Sequence, residues 1–152
     1  PLRDARIHAM LTYRTPASFS ERFGRTINTE KKLFNVESWL VHHGYKLEDR
    51  FLLQAYKAMN HLLATVDITR KGDSLEKIIN TISSNIHLIA VDSDLFFTAE
   101  EDQKTLKRGK KIKENIFYHE IKSIHGHDAF LIENKTVSQI LSRIFKPNSN
   151  NS

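Results

Sequence analysis

The 152-residue sequence contains no cysteine, three prolines, five glycines and one tryptophan. Without cysteine there is no disulfide framework and no thiolate-ligated zinc site, and a reducing compartment is the simpler expectation. No apolar run approaches the roughly 20 residues that a bilayer-crossing helix needs. The opening Pro1-Leu2-Arg3-Asp4 is not a secretory leader. The chain is therefore expected to be soluble and cytoplasmic, with no membrane partner. Its glycines, Gly24, Gly44, Gly72, Gly109 and Gly126, are too scattered to form a Gly-x-Ser-x-Gly nucleophile elbow.

What is present suffices for one ordinary domain: 39% of residues are hydrophobic, enough to build a core at this length. The formal charge of +5 raises nucleic acid as a partner. The excess is concentrated in Lys104, Lys107, Arg108, Lys110, Lys111 and Lys113, with no aromatic residue interleaved for base stacking. Glu100, Glu101 and Asp102 precede that run, as acids do in the first turn of a helix. The run reads as the solvated face of a surface helix, and no nucleic-acid partner is expected.

Two textures divide the chain. Residues 1 to about 65 carry apolar positions at three- and four-residue spacing: Ile7, Met10 and Leu11, then Phe34, Val36, Trp39 and Leu40, then Phe51 to Leu63. Helices account for this region without any strand. Arg70-Lys71-Gly72-Asp73 reads as a loop, and Ser74 can cap a short helix bearing Leu75, Ile78, Ile79 and Ile82. Ile86-His87-Leu88-Ile89-Ala90-Val91 has the pattern of a parallel strand buried on both faces. After the basic helix comes a second strand, Ile116 to Ile121. A last helix from near Thr136 turns Val137, Ile140, Leu141, Ile144 and Phe145 inward, and Pro147 opens a polar tail. Helix, strand, helix, strand, helix is the texture of an α/β sheet with helices on both faces.

Such sheets place their chemistry at the carboxyl ends of strands. Asp94 follows the first strand and His127 the second, so both belong to the same sheet edge. A histidine can take a proton from a hydroxyl and return it when a carboxylate holds its other ring nitrogen. By spacing alone this pair is one of many that eight histidines allow. His42, His43, His61 and His87 read as surface or core residues. His125 and His127 could form a metal pair but lack a third ligand, so no metal is expected.

The segments Gly126-His127-Asp128-Ala129-Phe130-Leu131 and Asp92-Ser93-Asp94-Leu95-Phe96-Phe97 resemble the histidine and acid loops of the homoserine O-acetyltransferase family. Ala5-Arg6-Ile7 leading to Leu11-Thr12-Tyr13, then Arg22-Phe23-Gly24-Arg25, Phe34-Asn35-Val36-Glu37-Ser38-Trp39-Leu40 and Ala55-Tyr56 with Ala58-Met59 extend the resemblance over nearly the whole chain. The resemblance implies an α/β class: the C-terminal part of an α/β-hydrolase fold preceded by a helical lid region. Residues 1–70 would then be the lid region, 71–146 the hydrolase part and 147–152 the polar tail.

It further implies that Asp94 and His127 are the acid and base of a Ser-Asp-His triad, with Arg6 and Asp128 binding substrate. A zwitterion such as L-homoserine needs a fixed cation for its carboxylate and an anion for its ammonium. Read without the resemblance, Arg6 is a helix-surface residue and Asp128 a loop or cap residue. Tyr13 and Arg14, one helical stretch beyond Arg6, are further candidates for the site lining. The implied partners are L-homoserine, acetyl-CoA as co-substrate rather than cofactor, and a second copy bound through the lid helices.

The sequence departs from the family in lacking the nucleophile elbow, and in Thr98-Ala99-Glu100 standing where the family has a proline pair. The nucleophile is expected upstream of Pro1. Alternatives are a related serine acetyltransferase, a homoserine succinyltransferase, and a non-catalytic truncated lid and dimerisation fragment. The 152 residues expressed alone are expected to transfer no acetyl group from acetyl-CoA to homoserine, and turnover by the purified chain in a thiol-release assay would overturn this.

Overall fold

The computed structural model describes residues 1–146, so the tail expected over 147–152 lies outside the described residues. Four helices come first: α1 (Leu2–Tyr13), α2 (Pro16–Phe23), α3 (Asn35–Arg50) and α4 (Leu53–Thr65). An α/β unit follows: α5 (Leu75–Thr81), β3 (Ile86–Val91), α6 (Ala99–Lys110), β4 (Ile116–Ile121), a 3-10 turn (Gly126–Asp128), α7 (Ala129–Ile132) and α8 (Asn134–Ile144). Between α2 and α3 lies a short antiparallel hairpin, β1 (Ile27–Asn28) and β2 (Leu33–Phe34).

Local chemistry sets the starts and stops. Pro16 stands in the first turn of α2, where its missing N–H costs nothing, and the Thr15 hydroxyl accepts from the Ser18 amide at 3.1 Å. Ser74 caps α5 in the same way on Lys77. At the head of α3 the Glu37 carboxylate accepts from the Phe34 N–H at 2.8 Å. The acids of α6 stand in its first turn and its cations in the last, each matched to the helix dipole.

α1 crosses α3 with Leu2, Met10, Gly44 and Leu47 buried along the contact. Gly44 is what allows the approach, since a Cβ there would lie 2.6 Å from Arg3 Cγ and 3.0 Å from the Arg3 carbonyl oxygen. β3 and β4 pair in parallel from Ile86 opposite Ile116 to Val91 opposite Ile121. One face of the pair meets α6, where Ile116 packs over Gly109. The other meets α8, where Val91, Ile121, Ala129 and Ile140 form a cluster flanked by Val137 and Ile144. Helices on opposite faces of a parallel pair give the expected α/β unit. Among the described residues no helix is long and apolar enough to cross a membrane.

Three expectations are corrected. The first region does contain strands, the β1–β2 hairpin, and Phe34 belongs to it rather than to a helical stripe. β3 is not buried on both faces: only Ala90 and Val91 are buried, and Ile89 is 40% exposed, because one strand covers one edge. In α8, Leu141 and Phe145 do not turn inward; Phe145 is 77% exposed, since the sheet it meets is only two strands wide. α4 likewise has no buried residue and leaves Leu53, Met59, Leu62 and Leu63 in the open.

Gly44→Ala is expected to lower stability by about 1–3 kcal/mol by forcing α1 off α3. The measurement is a shift in urea midpoint at unchanged slope against the parent protein.

Candidate active site

The loops after β3 and β4 leave the same edge of the sheet and are joined by backbone as well as side chains. The Asp92 amide donates to the Ile121 carbonyl at 3.1 Å, and the Asp92 carboxylate accepts from the Ser123 amide at 3.0 Å. Ser93 donates its hydroxyl to the Ser123 carbonyl and accepts from the Gly126 amide at 3.1 Å. On the far side, the Ser123 hydroxyl donates to Glu133 at 2.8 Å and accepts from the His125 amide at 3.1 Å.

This stitching brings Asp94 and His127 together. The Asp94 carboxylate, 6% exposed, meets His127 Nδ1 at 2.8 Å through Oδ2. Its Oδ1 accepts from the amides of Phe96 at 2.7 Å and Phe97 at 3.0 Å. Three donors on one carboxylate fix its orientation and leave it no freedom to rotate. An acceptor at Nδ1 puts the ring proton there and leaves the Nε2 lone pair free as a base. Nε2 has no hydrogen-bond partner among the described residues.

Four aromatic rings surround the imidazole: Tyr13 at 5.4 Å, Phe97 at 5.4 Å, Phe96 at 5.6 Å and Phe130 at 5.8 Å between centroids. They hold the ring by edge and tilted contacts and limit water at its apolar edge. A cleft of about 390 Å³ opens beside the pair, lined by Asp94, His127, Phe97, Phe130 and Asp102. Burial, and secondarily the negative charge of Asp94, push the Asp102 carboxyl above its ordinary range. Asp102 was hidden in the sequence among the acids of a helix start.

Arg6 lies on α1 with its guanidinium 5.7 Å from the Tyr13 ring centre, so one aromatic ring separates it from His127. Asp128 is paired with Arg14, whose Nε donates to Oδ2 at 2.8 Å. The sequence brought Arg14 to notice only as a possible lining residue; its partner 114 positions away has no local signature. Residues 13–15 run against residues 124–126. Thr15 donates its hydroxyl to the Ile124 carbonyl. Gly126, at φ +64°, comes so close that a Cβ would lie 2.9 Å from the Tyr13 carbonyl oxygen.

Four other histidines have structural partners. His125 Nδ1 bonds the buried Ser18 hydroxyl at 2.8 Å instead of joining His127. His43 packs on Trp39 with ring centres 4.6 Å apart. His87 Nδ1 and His119 Nε2 are 3.0 Å apart across β3 and β4, and burial, then His87, lowers the His119 imidazole below its ordinary range. Among the described residues no three His, Asp or Glu side chains are placed to hold a metal ion.

No protein-family profile matches the chain. Curated relatives do. A homoserine O-acetyltransferase of Methanococcus vannielii is 35% identical over 145 residues, covering 91% of this chain and 29% of the relative. One from Chloroherpeton thalassium is 34% identical over 140 residues, covering 92% of this chain and 36% of the relative. The chain thus spans about a third of the length of the curated relatives it matches. Among solved structures, homoserine O-acetyltransferase from Bacillus anthracis superposes with a TM-score of 0.82 at 16% identity, over 99% of this chain and 42% of that one. An esterase superposes with a TM-score of 0.70 at 13% identity, over 93% of this chain and 41% of that one. The fold is part of an α/β-hydrolase fold.

Gly126→Ala combines a positive φ with a clash on backbone. It is expected to destabilise the protein by about 1–3 kcal/mol and to speed amide exchange at His127, read by thermal melting and hydrogen exchange.

Proposed function

We infer, from a chain homologous over nine tenths of its length to homoserine O-acetyltransferases, that Asp94 and His127 are the acid and base of an acyl-transfer triad. The observation that carries this is the 2.8 Å bond between His127 Nδ1 and a carboxylate fixed by two further amides, at the carboxyl ends of two parallel strands. The nucleophilic serine belongs to sequence outside these 152 residues.

In the complete enzyme the reaction runs in two steps. His127 Nε2 takes the proton of the serine hydroxyl as its oxygen attacks the thioester carbonyl of acetyl-CoA. The C–S bond then breaks, and the proton passes from His127 to the departing thiolate. In the second step His127 takes the proton of the L-homoserine hydroxyl, whose oxygen attacks the acetyl-serine ester. The serine leaves with the proton, and O-acetylhomoserine, an intermediate toward methionine, is released. The imidazolium formed at each transfer is stabilised by Asp94 without moving it.

Arg6 and Asp128 supply the opposite charges that a zwitterionic acceptor needs, the cation for its carboxylate and the anion for its ammonium. Their support is position: Arg6 stands behind Tyr13, and Asp128 directly follows the base. Helices α1–α4 serve as a lid region over the site. The exposed Leu53, Met59, Leu62 and Leu63 of α4 suit a homodimer contact with a second copy. A cytoplasmic location belongs to the same reading.

In the complete enzyme, Asp94→Asn is expected to cut kcat by about 10⁴-fold while acetyl-CoA still binds, because an amide no longer selects the Nδ1–H tautomer. His127→Ala is expected to abolish acyl-enzyme formation. Stopped-flow thiol release and mass spectrometry of the acetylated serine measure both, and near-normal turnover in either variant would overturn the assignment.

A further inference from the structure

Arg14 is the first residue after α1, in extended backbone (φ −120°, ψ 149°), and its side chain turns back toward the histidine loop. Three groups hold its guanidinium at once. Nε donates to Asp128 Oδ2 at 2.8 Å, Nη1 donates to the Ser18 hydroxyl at 3.3 Å, and Cζ lies 6.0 Å from the centre of the Trp39 ring. Ser18 is 1% exposed and is itself fixed by His125 Nδ1 at 2.8 Å. The cation is therefore tied to α2, to α3 and to both ends of the Gly126–Asp128 turn. Side-chain exposure is only 12% for Arg14 and 20% for Asp128. Such a pair is not free to exchange partners with water, and removing one member leaves the other charge uncompensated.

We propose that Arg14 is a positioning residue for recognition of the amino-acid acceptor: it fixes the Asp128 carboxylate through one oxygen and leaves the other to receive the acceptor's ammonium group. The inference rests on the acyl-transfer reading. Oδ2 is taken by Arg14, whereas Oδ1 has no hydrogen-bond partner among the described residues. Asp128 adjoins His127, so the direction of that carboxylate sets where a bound acceptor holds its hydroxyl relative to Nε2. A freely rotating carboxylate would bind an ammonium in several places, of which few are reactive. The residue must be arginine: its planar fork serves Asp128 and Ser18 together while lying on Trp39, and a lysine ammonium cannot. Arg14 touches no reacting atom in this arrangement, and its action passes entirely through Asp128.

The test uses the complete enzyme and separates the two half-reactions. Acyl-enzyme formation is followed as the burst from p-nitrophenyl acetate, which needs the triad and no acceptor. Acceptor use is followed by steady-state kinetics with acetyl-CoA and L-homoserine. Arg14→Met is expected to raise the acceptor KM by roughly tenfold or more, with the burst rate and donor KM within about twofold of the parent. Arg14→Lys, which restores the charge without the fork, is expected to fall between. An unchanged acceptor KM, or a burst and an acceptor rate that fall together, would overturn the proposal. If Arg14→Met does not fold, Ser18→Ala carries the test, with a smaller rise expected in the acceptor KM alone and no change overturning the proposal. A parent enzyme that shows no acceptor-dependent acyl transfer would sink the acyl-transfer reading itself and this inference with it, an outcome distinct from the loss of the Arg14 effect alone.

Discussion

Everything at this site depends on the parallel register of β3 and β4. Val91 stands opposite Ile121, so the two strands end at one level and release their loops side by side. Asp92 and Ser93 can then bond Ser123 and Gly126, and Asp94 arrives under His127. A slip of one residue would turn every side chain to the opposite face. Val91 and Ile121 would leave the cluster under α8, and the loops would no longer meet. The packing core and the Asp94–His127 pair thus share a single constraint, because the residues that close the core are the last residues of the strands that release the two loops.

The acids around the histidine are held in different ways. Asp94 is held by donors: two amides and the imidazole bond the carboxylate, and its near-complete burial is tolerable for that reason. Asp128 is balanced by one cation, Arg14. Asp102, in the same cleft, faces burial and the charge of Asp94 together, and its carboxyl is held toward the protonated form. Three aspartates in one region of the fold therefore meet different surroundings, and position alone produces the difference.

Much of the α/β unit was readable in advance. Ile86–Val91 is a nearly all-apolar run and Ile116–Ile121 a stretch bounded by isoleucines, and both strands occupy those residues. Ser74 announces a helix start through a side chain that serves its own backbone, which is why short-range chemistry finds it. The β1–β2 hairpin escaped notice because two-residue strands have no period to detect, and Phe34 fits a helical spacing as well as a strand. Leu141 and Phe145 were misplaced because a stripe on a helix says which residues are apolar and not how wide the opposing sheet is. The pairing of Arg14 with Asp128 and of Ser18 with His125 depends on the tertiary crossing of α1 and α2 over the histidine loop. Resemblance to a family gave Arg6 and Asp128 meaning, and the fold supplied the neighbour that restrains one of them.

The contacts that lay residues 13–18 along residues 124–128 link positions more than 100 apart in the chain. Bringing such ends together costs loop entropy that local helices do not incur. Helices form from near neighbours and the β3–β4 pair from segments far closer in sequence, whereas the seam across the histidine loop closes the longest loop. Its loop-closure entropy is therefore the largest among these contacts. Under mild denaturant, helical signal should therefore persist after the His127 imidazole has lost its surroundings, so that the candidate site is the least durable part of a structure whose framework outlasts it.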